Sequence, residues 1–226
     1  MEWIAAKPFQ ILTDRIRKFG LKAKVSLNND KIILEYEEVS RGAEYVLPEV
    51  LLEFGARSTG EPADRHKITC DISDSAKDLR LPIANPRVMR AERTFWEKAT
   101  AIHVYCLRGA FRGGWRYARH WYDLDCLDHT NIAKKAISDR ALASDVAKHK
   151  QHFFREKDKA NNVIDYQAAV SGALCLVPSG QALDALADDY QQMFDAGLLG
   201  SANIGFETLM QRLSNLQDRI NAGLKQ

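Results

Sequence analysis

Apolar and polar positions first alternate along this chain and later recur with helical spacing. Phe9 to Phe19 reads as one amphipathic helix that stops at Gly20, a residue suited to ending a helix in a left-handed conformation. The stretch "LKAKVSLNNDKIILEYEE" then sets Ala23, Val25 and Leu27 against Lys22, Lys24 and Ser26 and turns at Asn28-Asn29-Asp30. It returns with Ile32, Leu34 and Tyr36 on one face and Glu35 and Glu37 on the other, which predicts a hairpin. In "PEVLLEFGARS", Val50, Leu52, Phe54 and Ala56 share one face, and Leu51, Glu53 and Arg57 the other. "KITCDIS" predicts a shorter strand with Ile68, Cys70 and Ile72 turned inward.

After the proline-bounded link "LPIANPRV" the period changes from two to 3.6. Helices are predicted over 92–108, 116–127, 141–157, 180–196 and 206–222, punctuated by Gly113-Gly114, Pro178-Ser179-Gly180 and the span from Gly197 to Gly205. Strands first and helices after define an α+β chain, with a boundary near Leu81 to Pro86. No internal repeat or low-complexity tract interrupts it.

Composition narrows the class. With 226 residues, 46% hydrophobic and 27% charged, the chain can bury a real core. A net charge of +2 gives no global field for nucleic acid, so such binding must come from local clusters. Cys70, Cys106, Cys126 and Cys175 are far apart and form no Cys-x-x-Cys pair. Neither a zinc site nor a disulfide framework is indicated, and reduced, mostly buried thiols are the expectation. No apolar run spans a bilayer, and the first ten residues lack the pattern of a signal peptide. A cytoplasmic protein with no membrane partner is expected.

Two stretches carry candidate chemistry. In "ERTFWEKATAIH", Phe95, Ala99, Ile102 and Cys106 form the core stripe, while Lys98 falls on an adjoining face with Thr94, Ala101 and Tyr105. Residue physics alone favours a lysine whose stem lies over that stripe and whose charge pairs with Glu97 or a neighbour. In "RGGWRYARHWYDLDCL", Arg112, Arg116 and Arg119, with Arg108 before them, are interleaved with Trp115, Tyr117, Trp121 and Tyr122. Guanidinium groups bind phosphate and aromatic faces stack on bases, but a solvated basic loop capping the helices is an equal reading.

Asp123 and Asp125 stand two apart, a spacing that does not share a face on a helix, so the pair makes a poor two-ligand metal site. Asp123 beside Arg119 and His120 is the better candidate for orienting or activating a group. Glu53, on a strand between Leu52 and Phe54, is either a metal ligand or the partner of Arg57. The run Val146 to Lys159 reads as a solvated basic face, and His149 and His152 in it lack a cysteine or carboxylate partner.

Taken together, "VLLEFGARSTGEP", "RVMRAERTFWEKATAIH" and "RYARHWYDLDCL" resemble the AbiEii/AbiGii toxin family of nucleotidyltransferase-like proteins from bacterial abortive-infection and toxin–antitoxin systems. The resemblance runs from about Leu21 to the last helix. It implies a partial polymerase-β-like nucleotidyltransferase sheet (residues 1–80) followed by a helical carboxy-terminal domain (81–226). It further implies Lys98 on nucleotide phosphate, Asp123 in support of transfer, and Glu53 as the third carboxylate of the fold, a Mg²⁺ ligand. Arg112, Arg116, Arg119 and His120 would line the phosphate-binding mouth. The implied partners are an NTP, an acceptor that is an RNA end such as that of tRNA or a protein hydroxyl, and a cognate antitoxin.

Members of the family begin with a glycine-rich turn and a strand bearing an Asp-x-Asp pair, which hold the triphosphate and Mg²⁺. Nothing before Glu53 matches them: the early glycines are Gly20 and Gly42, and Asp14 and Asp30 are isolated. The expectation is the carboxy-terminal part of a longer or split nucleotidyltransferase that binds Mg²⁺ weakly and catalyses negligibly alone. The alternative is an inactive remnant that binds RNA or antitoxin. A sheet without its first strands would also present an open edge for self-association.

Overall fold

A computed structural model describes residues 2–38, 47–55, 57, 59–109, 116–199 and 204–223. The chain is α+β and divides into two compact units, Met1–Thr59 and Gly60–Gln226.

In the first unit, α1 (Glu2–Phe19) ends where Gly20 takes φ 61° and the N–H of Leu21 bonds back to the carbonyl of Ile16. The helix lies against β1 (Ala23–Asn28), which pairs antiparallel with β2 (Lys31–Tyr36), and β2 with β3 (Glu49–Glu53). Asn29 adopts φ 54° in the two-residue connection, the left-handed conformation that tight hairpins need and asparagine tolerates. The register sets Leu27, Ile32 and Leu52 in one row and Val25, Leu34 and Val50 in the next. The alternation read from the sequence is therefore the apolar face of the sheet, centred on the buried Ile32. Its other face carries the cross-strand ion pairs Lys24–Glu35 and Lys31–Glu53.

The second unit starts before the proline-bounded link, not after it. Strands β4 (Ala63–Arg65) and β5 (Arg87–Met89) pair antiparallel, with a further bridge between Ile68 and Ala84. They are bound to the first helical turn that follows, because Arg90 donates its N–H to the Pro62 carbonyl and Arg93 a guanidinium N–H to that of Glu61. That is why the division falls at Thr59/Gly60, whereas the change of period lies near Leu81 to Pro86. The strand expected through Cys70 and Ile72 is instead a 3-10 turn, Asp71–Asp74, and Ile68 and Ile72 are exposed. Ser73 explains this: its hydroxyl donates to the Cys70 carbonyl at 2.6 Å, a local bond that competes with a strand ladder.

Helix α2 (Ala91–Arg108) is the axis of this unit and packs on α3 (Arg119–Asp128), α4 (Asn131–Ser138) and α5 (Arg140–Phe153). It stops at Gly109 in the left-handed conformation. The short turn α6 (Tyr166–Ala168) runs on into a wide turn through Ala173, and α7 (Gln181–Asp195) and α8 (Phe206–Gly223) complete the bundle. The core uses large aromatics whose polar ends reach backbone carbonyls. Trp96 donates to Ala136, Trp121 to Leu176 and Tyr105 to Ala182.

Candidate functional site

The site is built where α2 meets α3. On α2 the buried side runs through Phe95, Trp96, Ala99 and Ile102, which leaves Glu97 and Lys98 at its margin. On α3 the buried residues are Trp121, Leu124 and Asp125, so Asp123 turns the opposite way. The Nζ of Lys98 donates to Oδ2 of Asp123 at 2.6 Å. The lysine side chain is 20% exposed and the aspartate 41%, so the pair is dry on one side and open on the other.

Asp189 of α7 fixes where α3 begins. Its two carboxylate oxygens accept the backbone N–H groups of Arg116 (2.9 Å) and Ala118 (2.7 Å), which satisfies donors that a helix start leaves open. Arg116 has φ 67° there, so the chain enters α3 through a left-handed residue held by that carboxylate. Stacking of Trp121 and Tyr117 on Tyr105 then sets the rotation of α3 about its axis.

Arg119 and His120 precede Asp123 by four and three residues and share its side of α3. Arg119 is exposed. His120 packs edge-on to Tyr117, and its Nδ1 is buried with no hydrogen-bond partner among the described residues. Burial lowers its pKa to about 4, and the charges of Lys98, Arg119 and Lys150 add to the effect while Asp123 opposes it. The imidazole is therefore neutral at pH 7 and sits in a net positive field.

Beside this pair lies a second one that the sequence did not reveal. Lys98 does not pair with Glu97. Glu97 accepts from Arg93 at 3.1 Å and from Lys150 of α5 at 2.6 Å, and all three side chains are largely buried. The run around Lys150 is thus not wholly a solvated face. The Arg93–Glu97 spacing of four is a legible helical pair, but nothing local points to Lys150. His149 packs against Phe153 and Phe154.

The remaining candidates separate. Asp125 is buried and accepts from Arg212 at 3.2 Å, and Asp128 pairs with Arg219, so these acids fasten α3 to α8. Asp123 and Asp125 do not converge, as helical spacing requires. Arg112, Trp115 and Gly113-Gly114 lie outside the described residues. Glu53 belongs to the first unit, where its exposed carboxylate pairs with Lys31 at 3.3 Å, not with Arg57. Mg²⁺ needs several oxygen ligands in near-octahedral array. Among the described residues no three His, Cys, Asp or Glu side chains gather in a way that could hold a metal. Glu53, committed to Lys31 and without a second carboxylate, does not fit a magnesium centre. No described helix is long and apolar enough to cross a membrane.

A helical unit that presents a half-open Lys–Asp pair in a cationic setting, alongside a small antiparallel sheet, defines a protein built to meet phosphate. The sequence from residue 2 to 212 matches the family described as Nucleotidyl transferase AbiEii toxin, Type IV TA system. That match takes in nearly the whole chain, and the protein belongs to this family of toxins of type IV toxin–antitoxin systems. No curated protein and no solved structure matches the chain.

Proposed function

We propose that the helical unit is the phosphate-handling half of a nucleotidyl transfer from an NTP to the end of an RNA. The Lys98–Asp123 pair carries this reading. An ion pair this exposed contributes only about 0–1 kcal/mol to folding, so its lysine can turn to a phosphate oxygen at little expense. An ammonium has three donors and can hold carboxylate and phosphate together. Asp123 then keeps Lys98 aimed, and its second oxygen is free to accept from an acceptor hydroxyl. Arg119 adds charge at the rim, with Arg112 and Arg116 as its companions. His120, being neutral, supplies a hydrogen bond rather than charge. Basic and aromatic residues interleaved from Arg108 to Trp121 suit an RNA acceptor better than a protein hydroxyl.

Magnesium, when bound, would neutralise charge on the triphosphate in such a transfer. The described residues do not fit it, so no step is assigned to it here. That misfit favours a second reading, in which the chain binds NTP, RNA or a cognate antitoxin without turnover.

One assay separates the two. The full chain is incubated with each α-labelled NTP, Mg²⁺ and a short structured RNA, and both binding and label transfer are followed. Transfer that is lost in Lys98→Ala and Asp123→Asn supports the enzyme. Binding without transfer, still dependent on Lys98, supports the binding module. Binding that ignores both substitutions overturns the site.

A further inference from the structure

Cys106 and Cys175 are 69 positions apart in sequence but adjacent in space. His103 and Cys106 are three residues apart on α2 and so share a side of the helix. The Nδ1 of His103 accepts the backbone N–H of Cys175 at 3.0 Å, which brings residue 175 onto that side. The two thiols hydrogen-bond each other there, and both are partly exposed.

The segment carrying Cys175 is held in place. Leu174 donates to Asn221 at 3.0 Å and accepts from it at 2.9 Å, while Leu176 donates to Gln217 at 2.7 Å and accepts from the Trp121 ring at 2.8 Å. Two thiols in contact, on two elements each fixed by other bonds, are preorganised for a cross-link. Reduced cysteines scattered along a chain do not predict this. It is a property of the fold.

We propose that Cys106 and Cys175 form an oxidisable dithiol, a modification site that a peroxide converts to an intramolecular disulfide between α2 and the 174–176 segment. The roles of the two sulfurs differ. The hydrogen bond from Cys106 draws the Cys175 thiol down to about 7, whereas the same bond and burial push Cys106 up. Cys175 is therefore the attacking thiolate. Its sulfur displaces hydroxide from hydrogen peroxide and becomes a sulfenic acid. Cys106 then attacks that sulfur, its own proton leaving with the hydroxyl as water. Overall, two thiols lose two hydrogens, one peroxide is reduced, and two waters form. The cross-link ties the last turn of α2, the helix that carries Lys98, to the strand-like segment beneath it.

The test uses the full chain. It is treated with a few equivalents of hydrogen peroxide, unfolded, alkylated with N-ethylmaleimide, and analysed by intact mass and peptide mapping. The expected product is about 2 Da lighter before alkylation, takes up two fewer maleimides and yields a Cys106–Cys175 linked peptide. Dithiothreitol reverses all three changes. A Cys70→Ser/Cys126→Ser variant forms the same link, and Cys175→Ser does not. The proposal is overturned if both cysteines remain alkylatable after peroxide. It is equally overturned if Cys175 is driven to sulfinic acid without a link, or if chains are joined through the exposed Cys126 instead.

Discussion

The ammonium of Lys98 stands 2.6 Å from Oδ2 of Asp123, joining α2 to α3 across 25 residues of sequence. Each partner is held by something other than the pair itself. Lys98 is fixed by the buried side of α2 and Asp123 by the seating of α3 on Asp189. The pair is thus a consequence of the helical packing and not its cause.

Breaking it should leave the fold intact. Lys98→Ala and Asp123→Ala are each expected to destabilise by less than about 1 kcal/mol, because a part-exposed ion pair gives little net stability. Urea denaturation of the two single variants and the double variant gives the coupling. A coupling of several kcal/mol, or an unfolded Lys98→Ala chain, would return Lys98 to a purely structural role.

Glu97 should behave in the opposite way. Its carboxylate serves Arg93 and Lys150, whose side chains are 5% and 13% exposed. Glu97→Gln leaves two buried cations without their counter-charge and is expected to cost about 3 kcal/mol. The same urea experiment checks it, and a cost no larger than that of Lys98→Ala would mean that solvent already screens this cluster.

Asp189→Ala removes the acceptors for the N–H groups of Arg116 and Ala118. A loss of about 2 kcal/mol is expected, with faster hydrogen exchange at those two amides before any other part of α3. Unchanged exchange at Arg116 and Ala118 would show that α3 is seated by its aromatic packing alone.

These contrasts show what was legible in the sequence. The hairpin could be read because Asn28 to Asp30 interrupts a clean alternation, and α2 because its apolar spacing is strong. Lys98 and Asp123 could be singled out since each departs from its surroundings. Asp71–Asp74 was misread as strand because a serine-to-backbone bond overrides alternation. The eight-residue α4 was missed, although Thr130 caps it with a bond to the N–H of Ile132. Lys150, Asp189 and the Cys106–Cys175 contact act across 50 to 70 residues of chain, where no periodicity carries a signal.

Acid should weaken the fold in a defined window. Burial lowers both His103 and His120 from a usual value near 6.5 to about 4. Between those values the unfolded chain takes up protons that the folded chain refuses, so stability falls as pH drops from about 6.5 to about 4. For the buried His103 the full shift corresponds to on the order of 3 kcal/mol. The urea midpoint should be flat above pH 7 and lower at pH 5, with a smaller drop in His103→Gln. A midpoint that rises on acidification would contradict the buried neutral imidazoles.

The most direct test of the central claim is equilibrium binding of a fluorescent NTP to the full chain and to Lys98→Ala across a salt series. The account predicts roughly tenfold weaker binding by the variant at low ionic strength, about 1.4 kcal/mol, with the difference shrinking as salt screens the charge. Circular dichroism should show both chains equally folded. Equal affinity of the two folded chains at low salt would contradict it, and would leave Lys98–Asp123 as a surface ion pair with no part in handling phosphate.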